Sequence, residues 1–357
     1  MRASMPAPSE QIRTSMRIQT PRETVLASWV HVSDLHFGHG DAGHQWNQQR
    51  VLDELRIDAK TLVRDGTVPR PDLVFVTGDI AFSGGARTPA VGDAEYALAS
   101  RWFRQLQGDL EIPDERVFMV PGNHDVDRRT DADVRRLLKL TRAGEETLDD
   151  TLQAPLDRDR LRGRMARYLA FAQSFGPPDA TRFHDGLWWR HRIDLAEGIS
   201  LRVCGLNTAL LSLDDEDQGR LRIGQRQLSE LLVPAPGDLE IALLLGHHPT
   251  TGRWLADEKE LRGQLDRHAA LYLFGHLHEA DSEQSRHGWG TGCLRIAAGA
   301  AHAEAAAPGT PPVGHGYNFG ALVVLATGDI VVRLWPRRWS TKSPRFVPDV
   351  DNTLDHR

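Results

Sequence analysis

The sequence predicts an α/β protein with more than one β-sheet. Two features lead there. In the first half, short apolar runs alternate with longer amphipathic stretches; in the second half, the apolar runs crowd together. The chain has 357 residues, enough for one large domain or two small ones, and 40% apolar with 26% charged residues is an ordinary folding composition. No apolar stretch approaches the ~20 residues of a membrane helix, so no membrane association is expected.

Taken in order, residues up to 24 read as a flexible lead, since MRASMPAPSEQIRTSMRIQTPRE has charges but no apolar signal core. The cytoplasm is therefore the expected location. "ASWVHV" (27–32) reads as the first strand, and "SDLHFGHG" as its exit loop. A helix over 47–64 follows from Val51, Leu52, Leu55, Ile57 and Leu62, and Pro69 and Pro71 close that segment. "DLVFV" is the next strand; Ala97, Leu98, Trp102, Phe103 and Leu106 mark a helix over 93–106; "RVFMV" is the third strand and "PGNHD" its exit loop. Residues 131–176 are rich in Arg, Asp, Leu and Ala and read as a helical insertion or cap. Beyond it, "LWWRHRIDL" and "SLRVCGLN" read as strands joined at Glu197-Gly198, "IGQRQLSELL" as a short helix, and "LEIALLL", "LYLF" and "LRIAAG" as strands. "ALVVLATGDIVVRLW" reads as a hairpin turning at 327–329, which leaves 25–336 as the main domain and 337–357 as a C-terminal tail.

The net charge of -6 and the pI of about 6.2 argue against a sequence-blind nucleic-acid binder, which needs a basic footprint. Cys204 and Cys293 form neither a disulfide framework nor a metal knuckle, and each sits in an apolar run as a core residue would. The sixteen histidines are more informative, because several are grouped.

Five apolar strands each end in a short loop that carries metal-type donors. They are Asp34 and His36; Asp79; Asn123 with His124; His247 with His248; and His276 with His278. Open α/β sheets place their ligand sites outside the carboxyl ends of the strands, so these groups are expected to converge. In Asp34-Leu35-His36 an extended backbone would turn both polar side chains to one side, and His276-Leu277-His278 repeats that spacing. Oxygen and imidazole donors without thiolate suit Mn, Fe or Zn. The donors exceed what one tetrahedral ion takes and match two divalent ions sharing a carboxylate, a clamp whose ions sit ~3.5–4 Å apart in phosphoryl chemistry.

"DLH", "GD", "GNHD", "GHHP" and "GHLH", in this order from Trp29 to Leu334, resemble the calcineurin-like metallophosphoesterase superfamily. "HVSDLHFG" and "GHHP" are nearest the bacterial class III cyclic-nucleotide phosphodiesterase type. The resemblance implies two mixed β-sheets packed as a sandwich with flanking helices. It implies that Asp34, His36, Asp79 and His278 hold one ion, and that Asp79, Asn123, His247 and His276 hold the other, with Asp79 bridging. His248 would then be a neighbour of a ligand. His124 would be catalytic, protonating the leaving oxygen or binding the phosphate, with Asp125 either fixing its tautomer or capping the loop.

The implied activity is hydrolysis of phosphodiesters, a small one such as a 3',5'-cyclic nucleotide first among them, by a hydroxide bridging two metal ions. Rival readings are a nuclease, a phosphomonoesterase and a non-catalytic metal-bound partner module. The nuclease draws on Arg333, Arg337, Arg338, Lys342 and Arg345 interleaved with Trp335 and Trp339, against the reading of a solvated tail. Arg128 is a further candidate for neutralising phosphoryl charge, with a solvated surface arginine as the rival reading. His39 is another for the pocket rim, set against an exposed loop histidine. A homodimer through the helical insertion is a further expectation.

Overall fold

The structure, a computed structural model, describes residues 23–84, 89–232, 239–277, 281–284, 292–302 and 314–350. In chain order the first half holds β1 (Thr24–Val32), α1 (Ala42–Arg64), β2 (Leu73–Thr77), α2 (Pro89–Leu110) and β3 (Val117–Val120), then α3 (Ala132–Ala143), α4 (Leu148–Gln153), α5 (Pro155–Gly163) and α6 (Ala166–Ala172). Next come β4 (Thr181–Phe183), β5 (Trp188–Ala196), β6 (Ile199–Gly205), α7 (Gly224–Leu232), β7 (Leu239–Leu245), α8 (Glu258–His268) and β8 (Leu271–Phe274). The last elements are β9 (Asp281–Gln284), β10 (Leu294–Ala297), β11 (Gly316–Val324), β12 (Ile330–Ser340) and β13 (Arg345–Pro348).

These strands form two mixed sheets, a six-stranded one in the order β13-β12-β11-β1-β2-β3 and a seven-stranded one in the order β4-β5-β6-β7-β8-β10-β9. β1, β2 and β3 run parallel, as do β6, β7, β8 and β10, so each set of carboxyl ends lies along one sheet edge. The continuous apolar runs reflect burial on both faces, as a parallel sheet requires. Trp29, Leu73, Phe75 and Phe118 meet Leu201, Leu243, Leu245, Leu271 and Leu273 between the sheets. The alternate residues Val30, Val74, Val76, Leu244 and Tyr272 belong to a second cluster, which includes Leu52 and Leu55 of α1 and Trp102 and Phe103 of α2. One strand thus faces two cores because its side chains alternate.

Asp41 caps α1, its carboxylate accepting the His44 N–H, so the helix begins at Ala42, five residues before the expected Asn47. β1 likewise begins at Thr24 and passes a bulge between Val25 and Ala27 before the expected stretch. The expected lead lies outside the described residues as far as residue 22. Helices fill 132–172; α6 packs on α2 and α4 on α7, and Leu138, Leu152, Leu161 and Met165 are buried in the helix-side core. The insertion is thus built into the body of the fold.

The segment after Trp335 departs from a solvated tail. β12 runs on to Ser340, and β13 pairs with it at the sheet edge through Arg337↔Pro348 and Trp339↔Phe346. The Arg337 guanidinium grips Asp58 of α1 through two 2.8 Å hydrogen bonds, and the Tyr317 hydroxyl donates to the same carboxylate at 2.6 Å. Arg333 pairs with Glu23. An apolar face, Phe346 against Tyr317 and Trp339, draws this strand onto the sheet. Among the described residues no helix is long and apolar enough to cross a membrane.

Candidate metal centre

The exit loops of β1 and β2 lie side by side. The Asp34 N–H donates to the Gly78 carbonyl at 3.1 Å, and the Leu35 and His36 N–H groups both donate to the Asp79 carbonyl at 2.9 Å. This pairing bends the chain away from the extended path expected for Asp34-Leu35-His36. Asp34, His36 and Asp79 have φ of 53°, 51° and 52°, and His276 has φ of 70°. Left-handed backbone at a non-glycine residue costs about 1–3 kcal/mol and persists where the surroundings over-determine it. Four candidate ligands share it, in three separate loops. Gly78 (φ 93°) allows the closest approach: a β-carbon there would stand 2.6 Å from the Gly122 nitrogen and 2.7 Å from His247 Nδ1.

The side chains converge in buried space, with Asp34, His36 and His247 at 0% exposure and Asp79 at 1%. His247 Nε2 lies 3.0 Å from Asn123 Oδ1, 3.1 Å from His276 Nδ1 and 3.2 Å from Asp79 Oδ2. Donors bound at ~2.0–2.2 Å to one ion stand about 3.0–3.5 Å apart, and the three distances from His247 Nε2 fall in that range. On the other side, Asp34 Oδ1 is 3.9 Å from His36 Nε2, and donor atoms of Asp34, Asp79 and His247 all fall within 4.8 Å of one another. His36, Asp79 and His124 form a further such group, so Asp79 is common to all of them, while His247 belongs to the first two. His278 lies outside the described residues.

Electrostatics follow this crowding. Burial pushes the Asp79 carboxyl up, but His247 and then His124 outweigh it and hold it well below the usual carboxylate range. Burial pulls His247 down; the adjacent Asp79 carboxylate reverses that and raises it to about 9. His247 Nδ1 donates to the Thr77 carbonyl at 2.7 Å, which leaves Nε2 turned to the cluster. A second hydrogen bond of this kind commonly orients metal-ligating histidines. Oxygen and imidazole donors at these separations, in a strained and pre-formed cradle, fit divalent ions.

His124 sits at the rim, half-buried. Its N–H donates to Asp79 Oδ1 at 2.8 Å, and its ring stands perpendicular to His36 with centroids 4.8 Å apart. Its Nδ1 lies 2.7 Å from the Phe82 carbonyl. Asp125 does not take that place. Its carboxylate accepts from the N–H groups of Ile80 (3.2 Å), Ala81 (3.0 Å) and Gly122 (3.0 Å) and from the Tyr96 hydroxyl (3.0 Å). It ties the β2 exit loop to the β3 exit loop, the loop-cap alternative. Burial, then Asp79, raises it to about 6.

Arg128 pairs with Asp215 at 3.0 Å, and His39 Nδ1 lies 3.0 Å from His44 Nε2. Three residues at the centre escaped sequence reasoning. Phe82 acts through its carbonyl, and its ring stacks on His124. Trp254 stands edge-on to His276 at 4.0 Å. Thr208, at the exit of β6, contacts both His247 and His248. Only Thr208 had a usable signal, since "GLNT" also ends an apolar strand.

No curated protein matches the chain significantly. Among solved structures, a hypothetical protein from Thermus thermophilus is 16% identical, covering 87% of this chain and 98% of its own, at a TM-score of 0.40. A conserved uncharacterized protein from Streptococcus pneumoniae, described as a predicted phosphoesterase, is 12% identical over 88% and 99% at a TM-score of 0.27. A calcineurin-like phosphoesterase from Bacillus subtilis is 10% identical over 87% and 90% at 0.34. Overlaps this weak add nothing to the functional reading. The calcineurin-like phosphoesterase profile matches residues 28–280, a span that contains every donor from Asp34 to His276. The chain belongs to the calcineurin-like phosphoesterase family, and is thereby a metal-dependent phosphoester hydrolase.

Proposed function

We propose that this phosphoesterase hydrolyses phosphodiesters, small ones such as a 3',5'-cyclic nucleotide, with two divalent ions of Mn, Fe or Zn. The observation that carries the two-ion reading is the spacing of donors around His247 Nε2, with Asp79 shared by a second group. In this reading Asp79, Asn123, His247 and His276 hold one ion; Asp34, His36 and Asp79, with His278, hold the other. Bound there, the ions supply a water nucleophile at neutral pH and offset charge on the phosphoryl oxygens. In this reading His124, beside Asp79 at the rim, is the group that protonates the leaving oxygen. Its Nδ1 hydrogen is committed to Phe82, so Nε2 carries the exchangeable proton. An alkoxide leaving group needs that proton, which suits a diester of two poor leaving groups.

The choice of a small diester rests on "HVSDLHFG" and "GHHP". The nuclease reading loses local support, because Arg333 and Arg337 are held by carboxylates and Trp339 packs within the sheet. A rate panel with Mn²⁺ tests the proposal: an aryl diester, an aryl monoester, cyclic AMP and single-stranded DNA, with Asp79→Asn as the blank. Cleavage of the aryl diester and cyclic AMP alone supports it. Turnover confined to the monoester, or to DNA, overturns it in favour of a monoesterase or a nuclease.

A further inference from the structure

The two adjacent histidines of "GHHP" are held in opposite tautomers. The buried Thr208 hydroxyl accepts the backbone N–H of His247 at 3.3 Å and of His248 at 3.1 Å, and lies 2.9 Å from His248 Nδ1. A hydroxyl has two acceptor sites and one proton. Both acceptor sites face N–H groups that can only donate, so the proton goes to His248 Nδ1. That nitrogen therefore carries the lone pair, and the hydrogen of the neutral ring is on Nε2. His247 is the reverse: the Thr77 carbonyl can only accept, so Nδ1 keeps its hydrogen and Nε2 is the nitrogen that gives up a proton to offer its lone pair to an ion. A lone-pair nitrogen binds a cation; an N–H does not.

His248 Nε2 is buried and has no hydrogen-bond partner among the described residues. Buried N–H groups are nearly always satisfied, and a persistent exception points to an absent partner. The ring lies against His247 and His276, with centroids 4.9 and 4.6 Å away, and one nitrogen from each of the three rings falls within 4.8 Å of the others. Trp254 closes the same side at 5.9 Å. A fixed, uncharged donor beside cation-binding groups complements an anionic oxygen.

We propose that His248 is not a metal ligand but an N–H donor to a phosphoryl oxygen of the substrate, and that Thr208 is the positioning residue that keeps it so. The proposal rests on the phosphoesterase reading for its substrate class and deepens it. Thr208 does this through one hydroxyl, which sets the path of the 247–248 backbone and the tautomer of His248 together.

The test uses the Zn²⁺-loaded full chain. Metal content, affinity for inorganic phosphate, turnover of an aryl diester and ¹⁵N-histidine NMR are read for His248→Leu, His248→Gln, Thr208→Val and Thr208→Ser. His248→Leu is expected to keep two ions per chain, weaken phosphate at least about tenfold and lower turnover by about 100-fold. His248→Gln, which retains an N–H, recovers most of both. Thr208→Val loses less in the same direction and mixes the His248 tautomers, and Thr208→Ser restores them. Loss of one ion in both His248 variants overturns the proposal by making His248 a ligand. Unchanged phosphate affinity in His248→Leu overturns it by reducing the ring to packing. If the leucine variant fails to fold, the NMR of the unaltered chain decides, and a proton on Nδ1 of His248 sinks the idea. Should the protein cleave no ester at all, the broader reading fails while the metal and phosphate measurements still judge His248.

Discussion

His124 Nδ1 lies 2.7 Å from the backbone carbonyl of Phe82, and the two rings stack with centroids 5.0 Å apart. A carbonyl can only accept, so this contact fixes the tautomer of His124 without a carboxylate. Asp125, its neighbour in sequence, is spent on four hydrogen bonds that hold two loops together.

The two residues should therefore fail differently. His124→Ala is expected to lower turnover by about 10²–10⁴-fold while both ions stay bound. The loss should grow as the leaving group becomes poorer, which a series of aryl and alkyl esters would show; equal losses across the series would remove His124 as the proton donor. Asp125→Asn instead turns an amide NH₂ toward N–H donors. It should cost about 1–3 kcal/mol of stability by thermal or denaturant unfolding, with little change in the pH–rate profile.

Asp79 faces both groups of donors, so Asp79→Asn is expected to bring metal content below two ions per chain and nearly abolish turnover. Metal analysis beside a rate measurement checks this. Near-normal values for both would contradict the shared-ligand assignment.

Arg337→Ala tests the edge strand. It leaves the Asp58 carboxylate without its guanidinium, in a place where both side chains are largely buried. Breaking such a pair should destabilise by about 3 kcal/mol. Activity at a temperature where the variant is folded should be unchanged, and so should affinity for single-stranded DNA. A selective loss of DNA affinity would restore the nuclease.

Acid stability should depend on two histidines beside the centre. Burial, then neighbouring histidines, lowers His302 to about 3; burial, then His44, lowers His315 to about 4. Below the unfolded value near 6.5 the unfolded chain takes up protons that the native rings refuse. Stability is therefore full above about 6.5 and falls as pH drops toward 4, by up to roughly 1.4 kcal/mol per pH unit for each ring. His315→Gln should flatten that slope in unfolding curves at pH 4–7, and an unchanged slope would count against the buried neutral state.

By itself the sequence determined where the donors would be. "VSDLH", "VTGD", "PGNH", "LGHH" and "FGH" each end an apolar run in a short loop, and that pattern is local. Runs such as Leu73-Val74-Phe75-Val76 likewise carried the expectation of strands buried on both faces, because adjacent residues alone report it. What each donor does was decided only by tertiary structure. The left-handed backbone at Asp34 and His36 comes from pairing with the loop at Gly78 and Asp79. His247 differs from its neighbour His248 because Thr77, 170 residues away, accepts from one ring while Thr208 donates to the other. Arg337 looked like a solvated cation until Asp58, 279 residues distant, met it across the sheet edge. Hydrogen-bond partners fix tautomers, dihedrals and charge states, and when those partners come from remote strands no local pattern contains them.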